Sequence, residues 1–348
     1  MIGLDFSSTG EWLRGTGPDS DVVISTRVRL ARNIAGFNFA NRAERIEQQQ
    51  IVALAREHVM PCAGRDGLLW VDVASLEPQE AALLVERHLI SKQLAKGDRP
   101  RAAVIHPDES LSIMINEEDH LRMQVIRSGR QSAQAFAEVN RIDDLLSQRL
   151  PFAFHKRFGY LTACPTNVGT GIRFSIMLHL PALMLTKEIE RVRRAAQDMQ
   201  LAIRGFYGEG SDALGDIFQI SNQTTLGKTE EQLLREFDEG VMPKVVEYER
   251  RARQVLVERR VSLLDDRCFR ALGILRNARL LKLDEALRLL SHLRLGVQLG
   301  RITDVDPRTI DRLLVLVQPA HLQKTLGESL HQAERTEARA TLIRQHLA

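Results

Sequence analysis

Arginine recurring on one face of several strands is a pattern that asks for an anion. Along residues 21–30, Ser25, Arg27 and Arg29 fall on one face and Ile24, Val28 and Leu30 on the other, because side chains alternate along an extended chain. The same division sets His120, Arg122 and Gln124 against Leu121, Met123 and Val125. It also sets Arg173, Ser175 and Met177 against Ile172, Phe174, Ile176 and Leu178. Cations gathered on one sheet face repel one another unless each finds a local carboxylate, points into water, or joins the others around a polyanion. Any one strand alone fits the first two cases. Three strands together favour the third, and a nucleoside triphosphate suits charge-assisted, bidentate contacts.

Acids stand beside these arginines. Asn116-Glu117-Glu118-Asp119-His120 precedes Arg122 directly; three acids in a row on a loop are usually a solvated turn, but here they border the arginine-bearing face. Glu209 closes Arg204-Gly205-Phe206-Tyr207-Gly208-Glu209-Gly210, whose glycines let the backbone approach a ligand. No G-x-x-x-x-G-K-[ST] loop and no H-R-D or D-F-G set occurs, so a phosphate site would be built from arginines rather than a P-loop. Taken alone, His88 reads as a surface helix residue and Cys164 as a small buried one.

The elements that must position these groups follow from composition and periodicity. The chain has 348 residues, 44% hydrophobic and 27% charged, which suits a globular protein of two domains. Its net charge of +3 and aromatic content of 5% argue against a nucleic-acid partner. Neither a membrane-spanning stretch nor a signal peptide is expected. Cys62, Cys164 and Cys268 are odd in number and far apart, arguing against a disulfide framework or zinc site and fitting the cytoplasm. No helices alternate regularly with the strands, which predicts an α+β fold with a mostly antiparallel sheet flanked by helices. Beyond about residue 225 the chain turns helical. Residues 229–260 read as one long helix, Leu280, Leu283, Leu287 and Leu290 as a leucine-lined helix, and Pro307 as the first turn of another. The expected division is 1–250 for a catalytic domain and 251–348 for an all-helical one.

Ser25-Thr26-Arg27-Val28-Arg29, Asn116-Glu117-Glu118-Asp119-His120-Leu121-Arg122, Cys164-Pro165-Thr166-Asn167-Val168-Gly169-Thr170-Gly171-Ile172-Arg173 and Arg204-Gly205-x-x-Gly208-Glu209 resemble, in order, the signature blocks of the phosphagen kinases. Arg204 through Ser221-Asn222-Gln223 is similar to the bacterial protein-arginine kinases. The resemblance implies a phosphagen-kinase catalytic fold with ATP and Mg²⁺, the metal held mainly through nucleotide oxygens and by no named protein ligand. It implies that Arg27, Arg29, Arg122, Arg173 and Arg204 hold the phosphates. Nucleotide-contacting segments would be Ser25, Thr26, Arg27, Val28 and Arg29; Arg173, Phe174, Ser175, Ile176 and Met177; and Arg204, Gly205, Phe206, Tyr207, Gly208 and Glu209. His88 would lie near the adenine. Glu118 and Glu209 would grip the acceptor guanidinium, with Cys164 beside it. Phe174 stands where the family usually has a small residue, and Thr26 where protein-arginine kinases often have serine.

Small-molecule members of the family carry a helical domain before the first block; here that block begins within the first thirty residues, so an arginine on a protein is the expected acceptor. The resemblance implies a homodimer, a C-terminal region that reads phosphoarginine, an activator protein, and marking of substrates for a Clp protease in the stress response. The regulatory motif would be Arg335-Thr336-Glu337-Ala338-Arg339-Ala340, in which Thr336 replaces the family's acid; an exposed face of a final helix is the plain alternative. The competing functions are a kinase for free arginine or another small guanidine, and a weakly catalytic adaptor that binds nucleotide or phosphoarginine.

Overall fold

A computed structural model describes residues 3–6, 9–62, 67–205 and 214–348. Its strands are β1 (Val23–Arg32), β2 (Leu69–Val71), β3 (Ala102–Ile105), β4 (Leu111–Ile115), β5 (Leu121–Ser128), β6 (Phe154–His155), β7 (Gly159–Tyr160), β8 (Ile172–His179), β9 (Leu201–Arg204) and β10 (Ile217–Asn222). Eight form one sheet in the order β2-β3-β4-β5-β1-β8-β10-β9, and β6 and β7 make a separate hairpin. All neighbours in the large sheet run antiparallel, as the alternation predicts.

The helices are α1 (Arg45–Cys62), α2 (Pro78–Glu86), α3 (Lys92–Lys96), α4 (Ser132–Ser147), α5 (Pro181–Leu185), α6 (Ile189–Asp198), α7 (Glu230–Arg235), α8 (Met242–Arg259), α9 (Val261–Asn277), α10 (Leu283–Gln298), α11 (Pro307–Leu316), α12 (Pro319–Leu326) and α13 (Gln332–Leu347). The apolar face of the sheet supplies Val28, Leu30, Met123, Val125, Phe174 and Ile176, all fully buried. Helix α4 packs on β1 and β5, and α1 on β3 and β4. A smaller core on the other side, including Leu84, Leu89, Leu94, Ala103, Ile105 and Met114, seats α2 and α3 at the β2–β4 end. The middle of that face is left to polar side chains.

Two helical expectations need correction. The helix expected over 229–260 is divided: α7 starts at a capping box of Thr229 and Gln232, a π-helical turn follows over Glu236–Val241, and α8 begins with Pro243 in its first turn. Proline has no N–H to return to the preceding turn and its ring crowds the carbonyl there, so the turn before it is wound wider. The leucine repeat is interrupted at residues 278–282, leaving Leu280 65% exposed. The interruption is held from outside, by Leu281 N–H donating to Thr336 O at 3.0 Å and Arg339 Nη1 to Leu281 O at 3.0 Å. Pro307 does open α11, behind an Asp306 side chain that accepts from Arg308 N–H.

The C-terminal helices share one hydrophobic core with the sheet and meet it through buried polar contacts. Helix α8 runs unbroken through residue 250. Its Glu249, fully buried, accepts from the N–H groups of Ala182 and Leu183 at 3.1 and 3.0 Å and from Arg253 Nε at 2.8 Å, while Arg253 Nη2 donates to Asp21 O at 3.0 Å. At the end of β8, His179 lies 2.9 Å from Ser291 Oγ and 3.0 Å from Arg294 Nη1, both on α10.

Candidate active site

The strand register carries the arginines to one place. Arg29 faces Arg173 across β1 and β8 and Gln124 across β1 and β5; Arg27 faces Ser175, and Ala31 faces Arg122. Gln219 on β10 faces Met177 on one side and Arg204 on the other. The pleat therefore aims Arg27, Arg29, Arg122, Arg173 and Arg204 to the same side, and all five line one cavity of about 930 Å³ with Glu117, Glu118, His88, Lys92 and Cys164. Arg32, which continues β1, points the other way, to Asp143 at 2.7 Å beneath the Tyr160 ring.

These cations strain one another. Burial, and then the charges of Arg173, Arg122 and Arg204, bring Arg27 down to about 10. Burial, then Arg27, Arg122 and Arg173, hold Arg29 well below the ordinary arginine value, with only Glu117 acting the other way. Arg27 keeps one neutral partner, donating from Nη2 to Gln219 Oε1 at 2.8 Å, and Arg173 donates from Nη2 to Asn167 Oδ1 at 3.4 Å. A polyanion would relieve this repulsion.

Arg122 is different. Burial works against its charge, but the carboxylates of Glu117, Glu118 and Asp119 together raise its pKa. Glu117 Oε2 lies 2.7 Å from Nη1, Glu118 Oε2 lies 2.5 Å from Nη2, and Asp119 Oδ2 lies 4.0 Å away. The acids are therefore not a solvated turn. Glu117 and Asp119 are almost wholly buried, and the Glu118 side chain is 33% exposed. Glu117 also accepts from Ser91 Oγ at 2.6 Å and from Glu118 N–H at 2.8 Å. Asp119 Oδ1 accepts from Asn33 Nδ2 at 2.7 Å and Ala163 N–H at 2.8 Å. The second bond fixes the approach to Cys164, whose half-buried Sγ lies 3.0 Å from Thr166 Oγ1. Cys164 is thus at the cavity wall rather than in the core. Gly169, at φ +117°, lies where a Cβ would meet Thr225 O at 2.3 Å, so only glycine lets the loop after Cys164 close against β10's exit.

Other expected site residues are dispersed. The side chains of Thr26, Val28, Phe174 and Ile176 are fully buried on the opposite face of the sheet. Phe174 packs between Phe136 and Phe237, which is the room the larger residue needs. Thr26 Oγ1 donates to Gly129 O at 2.7 Å. Ser25, Ser175 and Met177 line a small recess behind Arg27 and His88. Gly205 is buried just beyond Arg204, while Phe206, Tyr207, Gly208 and Glu209 lie outside the described residues. His120 does not join the arginine face: its Nδ1 accepts from Ile34 N–H at 3.0 Å and its Nε2 lies 2.8 Å from Asn38 O. His88 is not on a helix surface. It follows α2 at φ +60°, its ring stands edge-on to Trp12 at 4.8 Å, and burial, then Arg27 and Lys92, bring its pKa from 6.5 to about 3.

Glu117, Ser91, Lys92, Asn167 and Gln219 also line the cavity and were not singled out from sequence. Gln219 was findable: Phe218, Gln219, Ile220 and Ser221 alternate as the other strands do. In the C-terminal motif, Arg339 and Ala340 are buried, Arg335, Thr336 and Ala338 half-buried, and only Glu337 exposed. Arg339 donates from Nε to Val317 O at 2.8 Å as well as to Leu281, so the motif is not simply an exposed helix face. Among the described residues no cluster of three or more His, Cys, Asp or Glu could hold a metal ion, and no helix is long and apolar enough to cross a membrane.

An antiparallel sheet that offers converging arginines to a polyanion and an acidic loop beside them defines a phosphoryl-transferring enzyme of the guanidine-acceptor class. Comparison with known proteins agrees. Residues 51–252 match the ATP:guanido phosphotransferase C-terminal catalytic domain, and residues 261–348 the protein-arginine kinase McsB C-terminal domain. Among solved structures, the duplicated taurocyamine kinase from Schistosoma mansoni with bound transition-state analogue components superposes with TM-score 0.62 at 25% identity, over 72% of this chain and 36% of that one. A lombricine kinase shares the fold, with TM-score 0.57 at 24% identity over 72% of this chain and 71% of that one. A protein-arginine kinase of Geobacillus sp. (strain WCH70) is 44% identical over 98% of this chain and 94% of its own. One from Symbiobacterium thermophilum is 45% identical over 97% and 96%. The chain belongs to the protein-arginine kinase family.

Proposed function

We propose that this chain transfers the γ-phosphoryl group of ATP to arginine side chains of proteins, and that the convergence of five arginines opposite Glu118 carries the reading. The arginine face takes the phosphate oxygens and spreads the charge that builds as the terminal phosphoryl group leaves ADP. A guanidinium is a poor nucleophile because it is protonated at neutral pH. Glu118 uses Oε2 for Arg122; its Oε1 would receive an ω-N–H of the acceptor and hold that nitrogen towards the phosphorus. Glu209 shares this work. As the N–P bond forms and the P–O bond to ADP breaks, the proton of the attacking nitrogen passes to one of these carboxylates. Cys164 orients the acceptor. Mg²⁺ would be carried on nucleotide oxygens, since Glu117 and Glu118 already neutralise Arg122. His88, Ser25 and the backbone of β1 and β8 would border the rest of the nucleotide.

We further assign residues 1–250 to catalysis and 251–348 to dimerisation and regulation in a cytoplasmic homodimer. Phosphoarginine would act on the surface around Arg335. An activator protein and a Clp protease would be the partners, with phosphoarginine marking proteins under stress. The test is incubation with Mg-ATP and an unfolded arginine-rich protein such as casein, followed by mass spectrometry kept away from acid, for wild type and Glu209→Ala. Phosphoarginine in the wild type alone is the expected result. ADP release driven by free arginine without protein phosphoarginine would move the assignment to a small-guanidine kinase, and nucleotide binding with no transfer would move it to an adaptor.

A further inference from the structure

One wall of the cavity runs from the end of α2 through its link to the start of α3, and it contributes Val85, His88, Ile90, Ser91, Lys92 and Gln93. It follows the end of a nine-residue helix, and His88 adopts a left-handed backbone that a non-glycine residue holds only under constraint. Part of the constraint comes from the sheet, where Gln124 Nε2 donates to His88 O at 2.6 Å and Ser112 Oγ to Leu89 O at 2.5 Å. The turn's own backbone bonds to α2 add to it, His88 N–H donating to Val85 O at 3.0 Å and Leu89 N–H to Leu84 O at 2.9 Å, and the C-terminal helices contribute as well. Glu86 reaches the start of α12, accepting from Ala320 N–H at 2.8 Å and His321 N–H at 3.0 Å. Its Oε2 also lies 2.7 Å from His321 Nδ1. The next residue, Arg87, donates from Nε to His321 Nε2 at 3.0 Å, from Nη1 to Glu109 at 2.5 Å and from Nη2 to Phe6 O at 2.8 Å. Because Nε2 accepts from an arginine, which has no lone pair to offer, the proton of a neutral His321 sits on Nδ1 and is given to Glu86. Glu86, Arg87 and His321 are all nearly inaccessible to water.

We infer that Glu86, Arg87 and His321 form a clamp by which α12 positions the His88–Lys92 wall for ATP, so that His321, on a helix far along the chain from the arginine face, sets nucleotide affinity. The inference rests on the function proposed above for the cavity. The order of the residues makes the coupling direct: positions 86 and 87 are held at α12, between Val85 and His88, both of which line the cavity. Glu86 caps a helix N-terminus with two backbone donors and receives a third hydrogen bond from the imidazole, so the direction of the carboxylate is fixed. Loosening it would free the wall to sample other positions, and ATP would then have to order it on binding.

The test uses the full chain carrying Trp70→Phe, in which Trp12, edge-on to His88, is the remaining tryptophan and reports ATP through its fluorescence. Glutamine can place an acceptor where Nε2 stands, whereas leucine cannot. His321→Leu and Glu86→Gln should each weaken ATP binding about tenfold, the effect of one charge-assisted hydrogen bond, and raise KM for ATP to match while kcat changes less than about twofold. His321→Gln should keep ATP affinity within about twofold of the parent, since Arg87 retains an acceptor. A purely structural clamp would instead lower thermal stability and the active fraction in His321→Leu with ATP affinity unchanged, and that result would overturn the inference. Trp12 reads ATP without any acceptor, so a failure of the proposed protein acceptor is seen separately, as absence of transfer by a parent protein that still binds ATP.

Discussion

Replacing Arg27 by methionine should make the unliganded protein more stable and leave it unable to hold ATP. Arg27 is held at about 10 by burial and by Arg173, Arg122 and Arg204. A depression of that size corresponds to roughly 3 kcal/mol against the charged form at neutral pH. The sign follows from the native state binding the proton less tightly than the unfolded chain, so the penalty is fully present below about pH 10 and is relieved only as pH rises through that value. Substitution also removes the bond to Gln219 Oε1, which is worth about 1.5 kcal/mol for a charged donor. Methionine keeps most of the apolar stem. The expected net gain is about 1–2 kcal/mol in urea unfolding at pH 7 without nucleotide, shrinking as salt screens the wild-type repulsion. With ATP present the order should reverse, because only the wild type gains binding energy. A variant less stable than wild type by 1 kcal/mol or more without nucleotide would refute the claim that the arginines are held against mutual repulsion.

The two neighbouring glutamates should part company. Glu118→Gln, at a partly exposed side chain, should lower kcat by about 10²–10³-fold with unfolding almost unchanged, whereas Glu117→Ala takes from Arg122 the more buried of its two close carboxylates and should cost about 3 kcal/mol in denaturant unfolding. Stability should fall in acid partly through His88: with its folded pKa near 3 against an ordinary 6.5, the contribution is full above pH 6.5 and lost on acidification towards pH 3. Its share is up to about 1.4 kcal/mol per pH unit, so His88→Gln should flatten the stability profile between about pH 6 and 4 by close to one proton. Asp119→Ala removes the acceptor of Ala163 N–H; it should cost about 2 kcal/mol and speed alkylation of Cys164 by iodoacetamide, because the segment leading to that thiol loses its anchor.

What the sequence discloses and what it conceals divide along physical lines. The arginine face is legible because period-two alternation needs no knowledge of neighbours: Arg27, Arg29, Arg122 and Arg173 announce their side from their own strands. The antiparallel sheet follows from the same pattern. Glu117 is not legible. Its burial depends on Ser91 and Arg122 arriving from two other elements, and an acid in a polar run looks solvated until they do. Thr26, Val28, Phe174 and Ile176 show the converse: a motif names consecutive residues, whereas a strand turns alternate side chains away, and these four are buried on the far face. The interruption before α10 is likewise invisible locally, since Thr336 and Arg339 of α13 impose it.

The buried Glu249–Arg253 pair on the unbroken α8, together with His179 sealed between Ser291 and Arg294, has a consequence for the order of events during synthesis. The strand that carries Arg173 ends on contacts supplied by α10, and Asp21, just before the strand that carries Arg27 and Arg29, is met by α8. A ribosome that has made only the sheet has therefore made an unfinished arginine face, with buried polar groups still waiting for partners. The arginine face should therefore become complete only after α8 and α10 have emerged from the exit tunnel.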